Sequence, residues 1–178
     1  PATVAVVGDS LTESAASQIT TTLTQNGIEV VAIDGLTNRR MVRSTDGVVA
    51  GTAAVEALLE RVETPPELWV VALGTNDVGG AATAEQFASD MATLLEQLPA
   101  DAPVVWVDLW IRDRQAQVLE ANAVIRDVIA QRGNGAVADW HSQATNEGAI
   151  TDDGVHLTDD GRWMFARTLT DAVLAYGT

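Results

Sequence analysis

The sequence predicts a three-layer α/β domain in which helices cover both faces of a doubly wound, five-stranded parallel sheet. Two observations support this fold class. Valine-rich, strand-length apolar runs alternate with longer helical patterns, as in βαβ units. These runs are also apolar throughout, which is typical of parallel strands buried on both faces. The 178 residues, 47% of them hydrophobic, are expected to form one domain spanning residues 1–178.

Each predicted strand is a short apolar run, and each predicted helix is a longer segment between two such runs or after the last one. The strands are expected at 3–7, 29–33, 68–73, 104–109 and 136–139. The helices are expected at 10–25, 52–62, 83–98, 114–132 and 159–176. In the third helix, Thr83 and Gln86 resemble a capping box, and Pro99 ends the pattern. Its apolar residues recur every three or four positions and predict one buried stripe: Phe87, Met91, Leu94, Leu95 and Leu98.

The composition excludes several classes of chemistry. There is no cysteine, so disulfides, thiolate metal sites and a cysteine nucleophile are excluded. All ten basic residues are arginine, which excludes a lysine Schiff base or a lysine general base. A formal charge of −15 repels phosphate backbones, so nucleic acids and anionic membranes are not expected as partners. No targeting signal or membrane-length apolar run is visible in the chain.

Polar residues follow the predicted strands where a doubly wound sheet binds its ligands, beyond the carboxyl ends of the strands. The segments are Gly8-Asp9-Ser10-Leu11 after the first strand, Asp34 to Arg40 after the second, Gly74-Thr75-Asn76-Asp77 after the third, and Asp152-Asp153-Gly154-Val155-His156-Leu157 after the fifth. Serine, asparagine, aspartate and histidine are therefore predicted to meet at one edge.

These residue types suit acyl transfer by a serine nucleophile. Ser10 opens a helix, and His156 is the natural base to take its proton. Asp153, three residues before the histidine, is expected to orient the imidazole, with Asp139 as an alternative. The oxyanion would be held by the Ser10 N–H, the Asn76 amide and an N–H from the loop after the second strand.

The same segments resemble the first, third and fifth blocks of the SGNH/GDSL hydrolase superfamily, in the right order over most of the chain. The resemblance implies a flavodoxin-like sheet and ester hydrolysis or acyl transfer through Ser10, Asp153 and His156, without a metal or cofactor.

The second block, which is the segment after the second strand, departs from the family. Either Gly35 is its glycine, or Asn38 takes the place of a glycine before arginine, as in the SGNH domains of bacterial cell-surface O-acetyltransferases. Asparagine tolerates positive φ, which favours Asn38 slightly.

Three residues near this edge are candidates for substrate binding: Asp9, Arg39 and Trp110. Bracing of the loops is the alternative for Asp9 and Arg39. Trp110, at the exit of the fourth strand, is placed to stack on a sugar ring. The other tryptophans considered, Trp69, Trp106 and Trp163, are expected to pack in the interior.

The predicted function is hydrolysis of a small O-acyl ester, with acetyl on a carbohydrate as the expected substrate. One alternative is an extracytoplasmic O-acetyltransferase domain attached to an upstream membrane domain. Another is a non-catalytic carbohydrate-binding module, and a third is a flavodoxin-like nucleotide or phosphate binder. The chain is expected to be monomeric and extracytoplasmic. Because acidic residues crowd the predicted edge, a neutral or cationic acyl acceptor is expected.

Overall fold

All five predicted strands are present in the computed structural model, which describes residues 1–80 and 82–177. They are β1 (Thr3–Gly8), β2 (Glu29–Gly35), β3 (Leu68–Ala72), β4 (Val104–Val107) and β5 (Gly135–Ala138). The strands form one sheet in the order β2-β1-β3-β4-β5, and every neighbouring pair is parallel. This confirms the predicted doubly wound sheet, and its strand order is the flavodoxin-like one.

Helices cover both faces of the sheet. The helices α1 (Ser10–Gln25) and α7 (Asp159–Tyr176) pack on one face. The other face is covered by α2 (Gly51–Arg61), α4 (Ala84–Leu95) and α5 (Gln115–Arg132). Their first and last residues lie within a few positions of those predicted, because each helix has a long apolar stripe and a clear boundary. Within residues 1–80 and 82–177, no helix has the length and apolar character needed to cross a bilayer.

Alternation along the strands divides the core between the two faces. Val4 and Val6 contribute to the cluster beneath α1 and α7, whereas Ala5 and Val7 contribute to the opposite cluster. All four side chains are completely buried, which explains why the strand is apolar at every position. The same burial explains why the strands were recognisable as continuous runs.

The tryptophans follow the predicted packing at two of the three positions. Trp69 and Trp106 are completely buried in the core. Trp163 is 39% exposed, so the prediction that it packs in the interior is wrong. It lies on the long helix α7, whose inward-facing positions are taken by residues such as Phe165 and Leu169.

Two short α-helices were not predicted. The first, α3 (Thr75–Gly79), begins directly after β3, and the second, α6 (Trp140–Gln143), begins shortly after β5. Segments of four or five residues are too short to show a helical period, so pattern analysis does not detect them. Both shape the edge of the sheet where the polar segments lie, since α3 contains Asn76.

Candidate active site

Ser10 is the first residue of α1, and the loop before it is fixed by Asp9. The Asp9 carboxylate caps the helix by accepting a hydrogen bond from Leu11 N–H at 3.0 Å. Asp9 N–H donates to the Ala72 carbonyl at 3.3 Å, which ties this loop to the end of β3. Within the described part of the chain, no hydrogen bond engages the half-buried Ser10 hydroxyl. The hydroxyl is therefore available for chemistry, beside backbone N–H groups that lack intrahelical acceptors.

His156 and Asp153 form a tight pair in the loop before α7. Asp153 Oδ2 lies 2.7 Å from His156 Nδ1. The other oxygen, Oδ1, accepts from Val155 N–H at 2.8 Å, His156 N–H at 2.9 Å and the Thr151 hydroxyl at 2.8 Å. Desolvation alone would raise the pKa of Asp153, but these hydrogen bonds outweigh it and hold the pKa below its ordinary value. Asp153 thus remains a carboxylate that fixes the position of the imidazole.

The edge of the sheet brings His156 close to the segment that contains Ser10. Burial raises the pKa of Asp9 to about 6, and the interaction with His156 is one of the effects that oppose this rise. His156 therefore lies within electrostatic range of the residue that precedes the serine. Its side chain is 52% exposed, so the face of the imidazole remote from Asp153 is open to a substrate.

The loop after β2 is held against the Asn76 segment by a side-chain hydrogen bond. Asn76 Nδ2 donates to the Arg39 carbonyl at 3.0 Å, and a second N–H remains on that nitrogen. In the loop, Arg39 N–H donates to the Leu36 carbonyl at 3.1 Å, which closes a turn. Asn38 adopts a positive φ of 64° in this turn. Asn38 and Asn76 line the same cavity, which has a volume of about 490 Å³.

Gly35 occupies a different environment from Asn38. It is the last residue of β2 and pairs with Gly8 of β1. A Cβ atom at this position would lie only 2.3 Å from the backbone nitrogen of Glu13, so the glycine permits close approach of α1 to β2. Packing of the helix explains this glycine without a role in binding a substrate.

Asp9 and Arg39 are braces inside the protein, which corrects the prediction that they bind the substrate. Their side chains are 1% and 3% exposed. The Arg39 guanidinium donates to the Gly8 carbonyl at 3.2 Å, the Asp34 carbonyl at 2.8 Å and the Val49 carbonyl at 3.1 Å. It also forms an ion pair with the Asp34 carboxylate at 2.9 Å. With its donors engaged inside the fold, Arg39 ties the loop after β2 to the end of β1.

Trp110 lies beside the loop that carries His156, away from the cavity of Asn38 and Asn76. It is half-buried, and its ring meets the edge of His141 at a centroid distance of 5.3 Å. It lines a separate cavity of about 270 Å³ together with Arg112. Arg112 in turn donates to the carbonyls of Thr151 and Asp152. Stacking of Trp110 on a sugar stays a prediction, now assigned to the histidine side of the site.

Asp139, the alternative partner of His156, has another role. It caps α6 by accepting a hydrogen bond from Ser142 N–H at 3.1 Å, whereas His156 Nδ1 contacts Asp153.

A buried acid that the sequence did not predict at this edge is Asp108, which directly follows β4 and is 3% exposed. It accepts from His141 N–H at 2.7 Å. The predicted fourth strand, 104–109, included Asp108, whereas β4 ends at Val107, so its position at a strand end became visible only in the structure.

Three buried carboxyl groups are expected to make the stability of the fold depend on pH. Burial is the main reason that the pKa values of Asp9, Asp77 and Asp108 rise to about 6 from 3.8. Between these values the folded protein binds more protons than the unfolded chain, so stability falls as pH rises through this window. Asp153 acts in the opposite sense, because its lowered pKa contributes stability that is lost only below 3.8.

We therefore expect the thermal midpoint to be higher at a pH of about 5 than at a pH of about 7, and to fall again in stronger acid. Calorimetric scans across this range measure the effect. Asp77→Asn should make the dependence shallower, because the amide removes one of the three titrating groups. Asp101→Asn, at an exposed position, is the matched control and should keep the original slope. A midpoint that rises from about pH 5 to about pH 7 would contradict the assignment.

The site thus combines a hydroxyl that no described residue engages, an imidazole held at Nδ1 by a carboxylate, and N–H donors from the start of α1, from α3 and from the loop after β2. Those are the parts that acyl transfer through a serine requires. Within residues 1–80 and 82–177, no group of three or more histidine, cysteine, aspartate or glutamate side chains has the spacing of a metal site.

The sequence and the fold were compared with known proteins. The model of the GDSL-like lipase/acylhydrolase family matches residues 6–164. No curated protein sequence is significantly similar to this one. The C-terminal catalytic domain of the Streptococcus pneumoniae peptidoglycan O-acetyltransferase A has a similar structure, with a TM-score of 0.72 and 21% identity over 98% of this chain and 93% of that domain.

Two esterases have similar folds as well. The psychrotrophic esterase EstA from Pseudoalteromonas sp. superimposes with a TM-score of 0.76 at 13% identity, covering 99% of this chain and 98% of the esterase. A family 3 carbohydrate esterase from Clostridium thermocellum gives a TM-score of 0.74 at 16% identity, with 97% and 95% of the two chains covered. At these identities the similarity establishes the fold alone.

Proposed function

The chain belongs to the GDSL-like lipase/acylhydrolase family, and from that membership we propose that it cleaves a small O-acyl ester, with O-acetyl on a carbohydrate as the expected substrate. The protein is an ester hydrolase or acyltransferase of the SGNH superfamily. The observation that carries the proposed mechanism is the 2.7 Å contact between Asp153 Oδ2 and His156 Nδ1. It holds the proton on Nδ1 and leaves Nε2 as the basic nitrogen.

In the proposed reaction, His156 Nε2 takes the proton of the Ser10 hydroxyl as Oγ attacks the ester carbonyl. The tetrahedral intermediate collapses when His156 returns that proton to the departing alkoxide, which leaves an acyl group on Ser10. Water, deprotonated by His156, then attacks the acyl-enzyme, and His156 returns that proton to Ser10 Oγ as the bond from Oγ to the acyl group breaks and the carboxylic acid leaves. Asp153 stays ionised throughout and stabilises the imidazolium that forms in both steps.

The proposed oxyanion hole consists of the Ser10 N–H, the second N–H of Asn76 Nδ2 and the Asn38 N–H. Two observations favour Asn38 over Gly35 as the residue of the second block. Asn38 lines the same cavity as Asn76, and its positive φ is the conformation expected where the family has glycine. Gly35 is accounted for by its close contact with the backbone of α1. The hydrogen bond from Asn76 to Arg39 supports the placement, because it fixes the two loops relative to each other.

A carbohydrate ester is favoured by the character of the cavity beside these residues. Its lining includes asparagine, threonine, arginine and aspartate side chains, which match sugar hydroxyls better than a long acyl chain. The fold is also similar to a carbohydrate esterase and to a peptidoglycan O-acetyltransferase domain. The second of these keeps transfer to a sugar hydroxyl as the alternative. A monomeric state and an extracytoplasmic location are further proposals for either activity, whereas an upstream membrane domain belongs to the transferase alternative.

One experiment separates the functions. The purified protein is incubated with p-nitrophenyl acetate, with and without a chito-oligosaccharide acceptor, and the saccharide is analysed by mass spectrometry. We expect release of p-nitrophenol and acetate with no acetylated saccharide, as hydrolysis requires. Acetyl on the saccharide would establish the transferase instead. Binding of the saccharide without any turnover of the ester would identify a non-catalytic carbohydrate-binding module.

A further inference from the structure

Arg40 is an arginine of the second-block loop that faces the cavity beside the proposed oxyanion hole. Its side chain lines the 490 Å³ cavity together with Asn38 and Asn76. It also lines a second cavity of about 230 Å³, on the side of Asp77 and Asp90. The Arg40 side chain therefore borders both cavities, next to the place where an ester would be held.

The guanidinium of Arg40 is positioned but not paired. It packs against Gly80, where an added Cβ atom would lie only 2.6 Å from Nη2 and 2.8 Å from Cζ. Within the described residues, no hydrogen bond or ion pair engages the guanidinium, in contrast to the neighbouring Arg39. Its charge is nevertheless felt by Asp77, whose pKa it lowers from the side of the second cavity. A half-buried guanidinium with free donors in a polar cavity is suited to a ligand that supplies acceptor oxygens.

The acidic residues that follow the predicted strands do not line the cavity of Asn38 and Asn76. Asp9 and Asp77 are 1% and 4% exposed. Asp34 is paired with Arg39, and Asp153 is held by His156 and its own loop. Asp46 does line the cavity, but it is exposed to solvent. The expectation of a neutral or cationic acceptor rested on five acids, and four of them, Asp9, Asp34, Asp77 and Asp153, are buried or paired. The fifth, Asp152, is exposed but does not line this cavity, so the expectation loses most of its basis.

We propose that Arg40 binds a carboxylate of the substrate, so that the ester is carried by an acidic sugar. This inference rests on the proposed function, since the carboxylate is bound while the ester lies at Ser10. A carboxylate fits better than a phosphate for two reasons. Its two oxygens match the planar fork of one guanidinium. A carboxylate also carries one negative charge, so a chain of net charge −15 repels it less than it repels a doubly charged phosphate.

The test compares two sugars that differ only in this group: an O-acetylated methyl glucuronoside and its uncharged methyl ester. For the native protein we expect kcat/KM to be roughly tenfold or more higher on the carboxylate sugar, as charge-assisted hydrogen bonds predict. Arg40→Met should bring the ratio of the two values close to one, and Arg40→Lys should restore it in part. The preference of the native protein should also shrink at high ionic strength.

Arg61→Met is the matched control, because it removes the same charge from an exposed position at the end of α2 and should keep the native ratio. Equal rates on the two sugars in the native protein would overturn the inference, as would a preference that survives Arg40→Met in a folded variant. Circular dichroism establishes folding of each variant.

Failure of the proposed function gives a different result, in which neither sugar nor p-nitrophenyl acetate is cleaved. In that case, calorimetric titration of the two deacetylated sugars into the native protein and Arg40→Met still decides the inference. Tighter binding of the carboxylate sugar to the native protein, lost in Arg40→Met, supports it. Equal binding of the two sugars overturns it.

Discussion

Ser10→Ala is expected to lower kcat for p-nitrophenyl acetate by at least about 10⁴-fold, since the reaction loses its nucleophile and the acyl-enzyme cannot form. The folded state should be nearly unaffected. No hydrogen bond within the described residues depends on the Ser10 hydroxyl, and α1 is capped by Asp9 instead. We expect the free energy of unfolding to change by no more than about 0.5 kcal/mol. Steady-state kinetics and a chemical denaturation curve of the same variant measure both quantities.

Ser14→Ala provides the control for Ser10→Ala. Ser14 lies one turn further along α1, is exposed, and donates its hydroxyl proton to the Leu11 carbonyl at 3.0 Å. Its replacement should leave kcat within about twofold of the native value, because surface substitutions away from the site have small effects. If Ser10→Ala keeps full activity while folded, the proposed mechanism is wrong, whatever the family of the protein.

Asp153→Asn is expected to lower kcat by about 10³- to 10⁴-fold, a range that aspartate-to-asparagine changes reach in other serine triads. The physical reason lies in the hydrogen bonds of the carboxylate. Oδ1 accepts from two backbone N–H groups and the Thr151 hydroxyl, so the amide oxygen of asparagine is expected to stay there. The NH₂ group then faces His156 Nδ1 and favours the tautomer with its proton on Nε2. That nitrogen can no longer accept the proton of Ser10.

Asp152→Asn is the matched control for Asp153→Asn, because it makes the same change of charge at the preceding, exposed position. Its activity should stay close to that of the native protein. The pH profile distinguishes loss of the tautomer from loss of folding. A wrong tautomer leaves a folded protein whose residual rate increases with hydroxide concentration, whereas an unfolded loop lowers the rate at every pH. Native activity in Asp153→Asn would exclude Asp153 as the partner of His156.

Most of the fold could be predicted because its signals are local. The strands are continuous apolar runs and the long helices are periodic stripes, and both can be counted along the chain. The unpredicted helices α3 and α6 are too short for a period, and Trp163 faces solvent although its residue type favours burial. The two kinds of error have different causes. A helix of four or five residues shows no period, and a residue's type reports its own preference and not the space that remains once larger elements have packed.

The site was predictable to the extent that it follows the ends of strands. The sequence placed Ser10, Asn76 and the segment with Asp153 and His156 at one edge, and the parallel sheet requires that edge to be shared. It did not identify which of the two adjacent arginines has a guanidinium that no described residue engages by a hydrogen bond. Arg39 and Arg40 are adjacent and chemically identical, yet one guanidinium is 3% exposed and engaged inside the fold, and the other lines two cavities.

The sequence by itself therefore determined the sheet, the order of its helices and the set of residues at its edge, because hydrophobic pattern and chain order fix these. Only the tertiary structure decided the direction and partners of each polar side chain. It turned Asp9 and Arg39 inward as braces, gave His156 its contact with Asp153, and left Arg40 lining a cavity without a hydrogen bond from any described residue. The physical reason is that burial and hydrogen bonding depend on elements distant in the chain, such as Gly80 beside Arg40 or the Gly8 carbonyl beside Arg39.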